Sequence, residues 1–243
     1  MTGERVATTP PEHRAFAWDD TSRVLTELLA LSTLVADDRG RGFFGYDAAA
    51  DEEVRFLPPA VLPLDRYGTD PARYAAALPA ELGHHLVVLL QAGAAALGTF
   101  RCGELCRHKV IKRYVTRGRG KAQPAYLKSK GKSRYGSRLR LRNARRLLQE
   151  VNGQLAAWAG EDGDYELKLY SCPVRQWADL HHAPVACPFP RDEFRRIPRD
   201  VRVPSLEELG RAYRSCLWGS VERSRRDAVS RPAPAGSRAA DPG

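Results

Sequence analysis

Between Arg101 and Arg146 the chain carries seventeen Lys or Arg and one acid, Glu104. A net +16 over so short a stretch cannot be turned inward, because an unpaired buried charge costs far more than folding returns, so the stretch must lie on the surface. The whole chain of 243 residues is only +10, which leaves the remainder at −6. A basic block on an otherwise acidic chain is a localised field, and a polyphosphate is the partner that suits it. The plainer reading is a solvated loop kept from aggregating by its charge. Such blocks are ordinarily mixed in sign, and this one is not.

The block resolves into three parts. Residues 109–117 read as a strand. A basic loop follows, with Gly118, Gly120 and Gly131 and one glutamine, Gln123, at its tip. Those glycines let the backbone take φ > 0 or approach another surface closely. From Ser133 or Ser137, either of which can cap it, a helix runs to about Trp158. Leu141, Ala144, Leu148, Val151 and Leu155 recur at helical spacing on one face, while Arg138, Arg142, Arg145 and Arg146 line another.

Upstream, Leu86–Leu90 and Ala94–Phe100 are short apolar runs separated by Ala92-Gly93, and Cys102-Gly103 makes a second turn, so three strands form an antiparallel meander. Downstream come a strand at Tyr165–Ser171, a short helix and a proline-rich loop in 174–200, and a short strand at Val201–Pro204. The sequence Ser205-Leu-Glu-Glu208 then has the pattern of a capping box. It opens a helix with Leu206, Leu209, Tyr213, Leu217 and Val221 on its buried face. This order predicts an α/β domain with a mixed sheet and packed helices, RNase H-like or like a release-factor middle domain, over residues 81–221. Residues 1–14 are expected to be disordered, 15–80 to form an N-terminal helix and a connector broken by Pro58, Pro59 and Pro63, and 222–243 to be a disordered tail.

Residues 1–5 lead into no apolar segment of signal-peptide type, and Leu86–Phe100 is too short and interrupted to span a membrane, so a cytoplasmic protein away from membranes is expected. Five cysteines at 102, 106, 172, 187 and 216 fit no disulfide framework and read as reduced thiols. Cys102, Cys106 and His108 lack a second ligand pair at a standard zinc spacing, as do His181, His182 and Cys187. No metal and no other cofactor is expected. His84 and His85 read as a solvated strand entry, Trp158, Trp177 and Trp218 as core. Tyr126 and Tyr135 either stack on nucleotides or anchor the loop to its own domain.

Around Gln123 there is no carboxylate or histidine, so a conventional acid–base hydrolase is excluded at the loop tip. A glutamine can orient a water, and its backbone N–H can hold an oxyanion. It is no strong base, and the rest of such a site has to come from elsewhere, for instance from RNA. An ordinary flexible loop is the alternative for an isolated Gly-x-x-Gln.

Taken together, Arg113-Tyr114-Val-Thr-Arg117, Gly120-Lys-Ala-Gln123, Gly131-Lys-Ser133, Gly136-Ser137 and the Arg-rich helix through Asn143 resemble the Vms-type peptidyl-tRNA hydrolases of ribosome-associated quality control. These are a branch of the eukaryotic and archaeal peptide release factor superfamily. The likeness runs over roughly 85–220 in element order and is sharp over 109–152. It implies a loop that enters the large ribosomal subunit and frees a nascent chain from peptidyl-tRNA, by ester hydrolysis or by cutting the tRNA near its acceptor end. By the resemblance, Gln123 is the catalytic residue and Gly120 the glycine that lets the loop reach. Arg113, Arg117, Arg119, Lys121, Lys128, Lys130, Lys132, Arg134, Arg138 and Arg142 clamp tRNA and ribosomal RNA. Separately from the resemblance, a monomer is expected. Release factors have Gly-Gly-Gln where this chain has Lys121-Ala122-Gln123. A non-catalytic ribosome or tRNA binder using the same surface is the rival expectation. The N-terminal helix and Phe43-Phe44 are further candidates for ribosome contact.

Overall fold

A computed structural model of the chain describes residues 12–113 and 132–225, with the backbone alone for 132–137. The chain divides into two units, Met1–Leu78 with Trp218–Gly243, and Pro79–Leu217.

In the first unit, strands β1 (Glu12–Ala17), β2 (Thr33–Ala36), β3 (Phe43–Asp47) and β4 (Glu52–Leu57) join the last strand of the chain, β10 (Trp218–Arg225). The sheet has the order β1-β10-β4-β3-β2 and every neighbouring pair is antiparallel. Helices α1 (Thr21–Leu29), α2 (Leu64–Tyr67) and α3 (Pro71–Ala77) complete it. Val54 and Phe56 are buried while Glu53 and Arg55 between and before them face outward, the period of two that a half-buried strand requires. Phe56 stacks on Phe16 at 5.2 Å, and Phe43 meets Tyr74 of α3 edge-on at 5.4 Å.

The second unit holds β5 (His84–Gln91), β6 (Ala94–Arg101), β7 (Glu104–Lys112), α4 (Lys132–Asp162), β8 (Leu167–Ser171), α5 (Val174–His181), β9 (Phe194–Arg196) and α6 (Leu206–Cys216). Its sheet order is β7-β6-β5-β8-β9. β5, β6 and β7 are antiparallel neighbours, whereas β8 runs parallel to β5 and β9 parallel to β8. This is the mixed, RNase H-like α/β arrangement that the element order predicts. β5 is buried from His85 to Leu90 because both sheet faces are covered, which explains an apolar run with no alternation. On one face Leu86, Val88, Leu90, Ala95, Leu97 and Ile111 share a core with Leu147, Val151, Leu155 and Trp158 of α4 and Trp177 and Leu180 of α5. On the other face Gly98 leaves the space that Leu209 of α6 fills, since a Cβ there would stand 2.6 Å from the leucine Cδ2.

Several expectations are corrected. The connector expected within 15–80 is structured: it holds the β3–β4 hairpin, in whose turn Asp47 Oδ1 accepts from the N–H groups of Ala49 and Ala50. Residues 15–80 are therefore a β-sheet with helices, not a helical extension. The last helix ends at Cys216, and Val221 lies on β10 instead, pairing with Arg14 and Phe56. Of the segments expected to be disordered, 12–14 and 222–225 are strand, while 1–11 and 226–243 lie outside the described residues. Val201–Pro204 is not a strand; the parallel edge strand is Phe194–Arg196. His85 is buried against Tyr213, and Trp218 is 55% exposed.

Candidate nucleic-acid interface

β7 is the edge of its sheet, and α4 packs beside it. Ile111 points into the core under α4, so by the two-residue alternation of a strand Arg107, Lys109 and Arg113 share its side. Arg107 reaches the far end of the helix, pairing with Glu161 at 2.6 Å and Asp162 at 3.2 Å. These carboxylates, Glu161 foremost, raise the guanidinium pKa. Arg113 pairs with Glu150 halfway along the helix, Nε donating to Oε2 at 3.2 Å and Nη2 to Oε1. Its backbone N–H donates to the Gly93 carbonyl at 2.8 Å, so the strand is held up to the residue where the basic loop leaves it.

The start of α4 is a different environment from its end. Among its described side chains burial begins at Leu147, and from Arg138 to Arg146 none is buried. At 1.5 Å per residue, the stretch from Arg138 to Arg146 extends roughly 13 Å without a buried side chain. Arg138, Arg142, Arg145 and Arg146 are exposed there. Leu141, expected on the buried face, is 56% exposed, and Leu147 takes the core position expected of Leu148, which is half-buried. The first turn has no acid. Cations at a helix N-terminus oppose its macrodipole, so this end is arranged for an anion rather than for the helix's own stability.

Of the sequence-predicted site residues, Arg113, Arg138 and Arg142 are placed at this surface. Lys132 and Arg134 lie on the first turn of α4 by their backbone. Gln123, Gly120, Arg117, Arg119, Lys121, Lys128 and Lys130, with Tyr126, lie outside the described residues, as does the side chain of Tyr135. Sequence reasoning missed Glu150. Its signal was present, for it is the sole carboxylate between Glu104 and Glu161.

Cys102 and Cys106 are exposed free thiols, and among the described residues no three His, Cys, Asp or Glu group to hold a metal ion. No described helix is long and apolar enough to cross a membrane.

No curated protein matches the chain. A solved structure titled "Vms1 mitochondrial localization core" is similar to it at 12% identity and a TM-score of 0.47, covering 79% of this chain and 92% of that one. The family model described as the Bacteroidetes VLRF1 release factor matches residues 85–223, from β5 through the interface elements to β10 and more than half of the chain. The chain belongs to this bVLRF1 release-factor family, in keeping with the Vms-type resemblance of its basic segment.

Proposed function

We propose that the protein frees nascent peptide from peptidyl-tRNA on stalled or obstructed large ribosomal subunits in the cytoplasm, through the Gly120-Lys-Ala-Gln123 segment. The observation that carries this reading is where that segment is attached in a release-factor family chain. It joins a basic edge strand, tied down to Arg113, to a helix whose Arg138–Arg146 stretch has no buried side chain. Both flanks offer cations to RNA phosphates, which position a protein without reading sequence.

The segment contains no carboxylate or histidine, so the chain supplies orientation and charge stabilisation rather than a strong base. In ester hydrolysis the Gln123 amide orients the attacking water, and backbone N–H groups hold the negative charge that develops on the carbonyl oxygen. The ester C–O bond breaks with its electron pair going to the tRNA ribose oxygen, and the proton the water loses is relayed to that oxygen through RNA hydroxyls or solvent. Cleavage of the tRNA phosphodiester near its acceptor end is the other bond the same placement serves.

The test uses stalled large subunits carrying labelled peptidyl-tRNA, with wild type and Gln123→Ala. Released peptide and the tRNA 3′ end are read together. Release by wild type that is lost in Gln123→Ala, with binding retained, supports the reading, and an intact or shortened tRNA names the bond. A non-catalytic binder is favoured by one feature, Lys121, which adds bulk and charge where release factors have glycine. Co-sedimentation with subunits without release by wild type would establish the binder instead.

A further inference from the structure

At the root of the basic segment, β7 and α4 enclose a groove of about 450 Å³ lined by Lys109, Val110, Ile111, Lys112, Arg113, Glu150 and Gln154. Lys109 and Arg113 lie on the Ile111 side of β7 with Glu150, whereas Lys112 lines the groove but alternates to the other side of the strand. Lys109 and Lys112 form no ion pair among the described residues. Glu150 holds Arg113 through two parallel N–H···O contacts, the fork that a guanidinium also offers to a phosphate. Both side chains are substantially exposed, 42% and 38%. An exposed pair of this kind is weakly held and open to exchange.

The two ends of the strand differ in this respect. Arg107 is held by two carboxylates, Glu161 and Asp162. Among the described residues Arg113 pairs with Glu150 alone, while its backbone is fixed independently by Gly93. Its side chain can therefore change partners without disturbing the strand.

We propose that this groove is a phosphate-binding subsite for nucleic acid, with Arg113 as its fork and Lys109 beside it, and that Glu150 fills it until a phosphate replaces its carboxylate. The exchange costs one exposed ion pair and returns a charge-assisted bidentate contact to a phosphate. Glu150 thus weakens binding at rest and keeps Arg113 pre-aligned. The proposal rests on the reading that RNA approaches the loop-bearing face, and it adds which contact the RNA displaces.

The test is a double-mutant cycle on binding alone. Labelled deacylated tRNA is titrated with wild type, Glu150→Gln, Arg113→Gln and the double variant at one salt concentration. Glu150→Gln is expected to tighten binding several-fold, Arg113→Gln to weaken it, and the double variant to match Arg113→Gln, because the gain exists only through the freed guanidinium. Persistence of the full gain in the double variant would make Glu150 a remote repulsive charge and overturn the exchange. Weaker binding by Glu150→Gln would make the pair a structural clip and overturn it too. Should Arg113→Gln lower the urea midpoint, Arg113→Lys takes its place: it keeps the charge, loses the fork, and must also abolish most of the gain. A wild type with no affinity for tRNA would remove the proposed function together with the subsite, whereas normal affinity with an uncoupled cycle removes the subsite alone.

Discussion

The imidazole Nδ1 of His85 on β5 and the phenol oxygen of Tyr213 on α6 lie 2.9 Å apart, and both side chains are buried. The Tyr213 ring also stacks on Phe100 of β6, centroid to centroid at 3.7 Å. Burial raises the phenol pKa, so it keeps its proton and can donate to the histidine. This polar contact fixes α6 on the sheet within an otherwise apolar layer. Tyr213→Phe keeps the ring and leaves a buried nitrogen without this partner, at a cost of about 1–3 kcal/mol. A drop in the urea midpoint at unchanged m value checks it; an unchanged midpoint would show that the hydrogen bond does not hold the helix.

Asn152 of α4 is buried and donates through Nδ2 to the carbonyls of Leu180 at 2.9 Å and Val185 at 2.8 Å. It joins the crossover helix to the end of α5 and the loop beyond. Asn152→Leu fills a similar volume but deprives both carbonyls of their donor. A loss of about 2–3 kcal/mol in equilibrium unfolding is expected, with a smaller loss if water enters to replace the amide.

Burial, the leading cause at both sites, holds the imidazoles of His84 and His181 below the ordinary histidine value of 6.5. Arg101 adds to the effect at His84, partly offset by Asp162, and Arg191 and His182 add to it at His181. Below that pH the unfolded chain binds protons that the folded one refuses. Stability should therefore be highest above about pH 6.5 and fall as the pH is lowered towards 5. Urea midpoints across this range test the sign, and His181→Gln should flatten part of the slope. Stability that rises on acidification through this window would contradict it.

Arg138 and Arg142 are exposed on a part of α4 with no buried side chain. Charge reversal at either should leave the unfolding midpoint within about 0.5 kcal/mol. It should weaken tRNA binding and reduce the slope of log K against log salt by about one per lost phosphate contact. Gln123→Ala should leave that slope as it is. Equal slopes for all variants would place the RNA on another surface.

Gly45 lies on β3 opposite Leu34, where an added Cβ would stand 1.8 Å from the Thr33 carbonyl oxygen. The obstacle is backbone, which cannot swing aside like a side chain. Gly45→Ala should cost about 1–3 kcal/mol, as overpacking does. Wild-type stability in that variant would mean that the β2–β3 pairing differs from the register described.

The parts legible in advance were those set by neighbours in the chain. The β5–β7 meander follows from two short turns, and Ser205 accepts from the Glu208 N–H at 3.1 Å, as its spacing from that residue predicts. Helix α4 follows from apolar residues at helical spacing, although which end of it was clear of the core did not. The polar β10, with Glu222, Arg223 and Arg225, looked like the frayed end of a helix and its tail. Its identity depends on β1 and β4, about two hundred and about one hundred and sixty residues earlier, which no local pattern contains.

The amino-acid sequence by itself determined that a carboxylate-poor block must stay on the surface, that glycines interrupt it, and that a mixed α/β sheet carries it. These follow from charge burial, turn chemistry and periodicity, which act over a few residues. Tertiary structure alone decided that β1 and β10 share one sheet, that burial among the described side chains of α4 starts at Leu147, and that Glu150 faces Arg113. Those relationships join residues far apart in the chain, and only packing selects which of many possible partners meet.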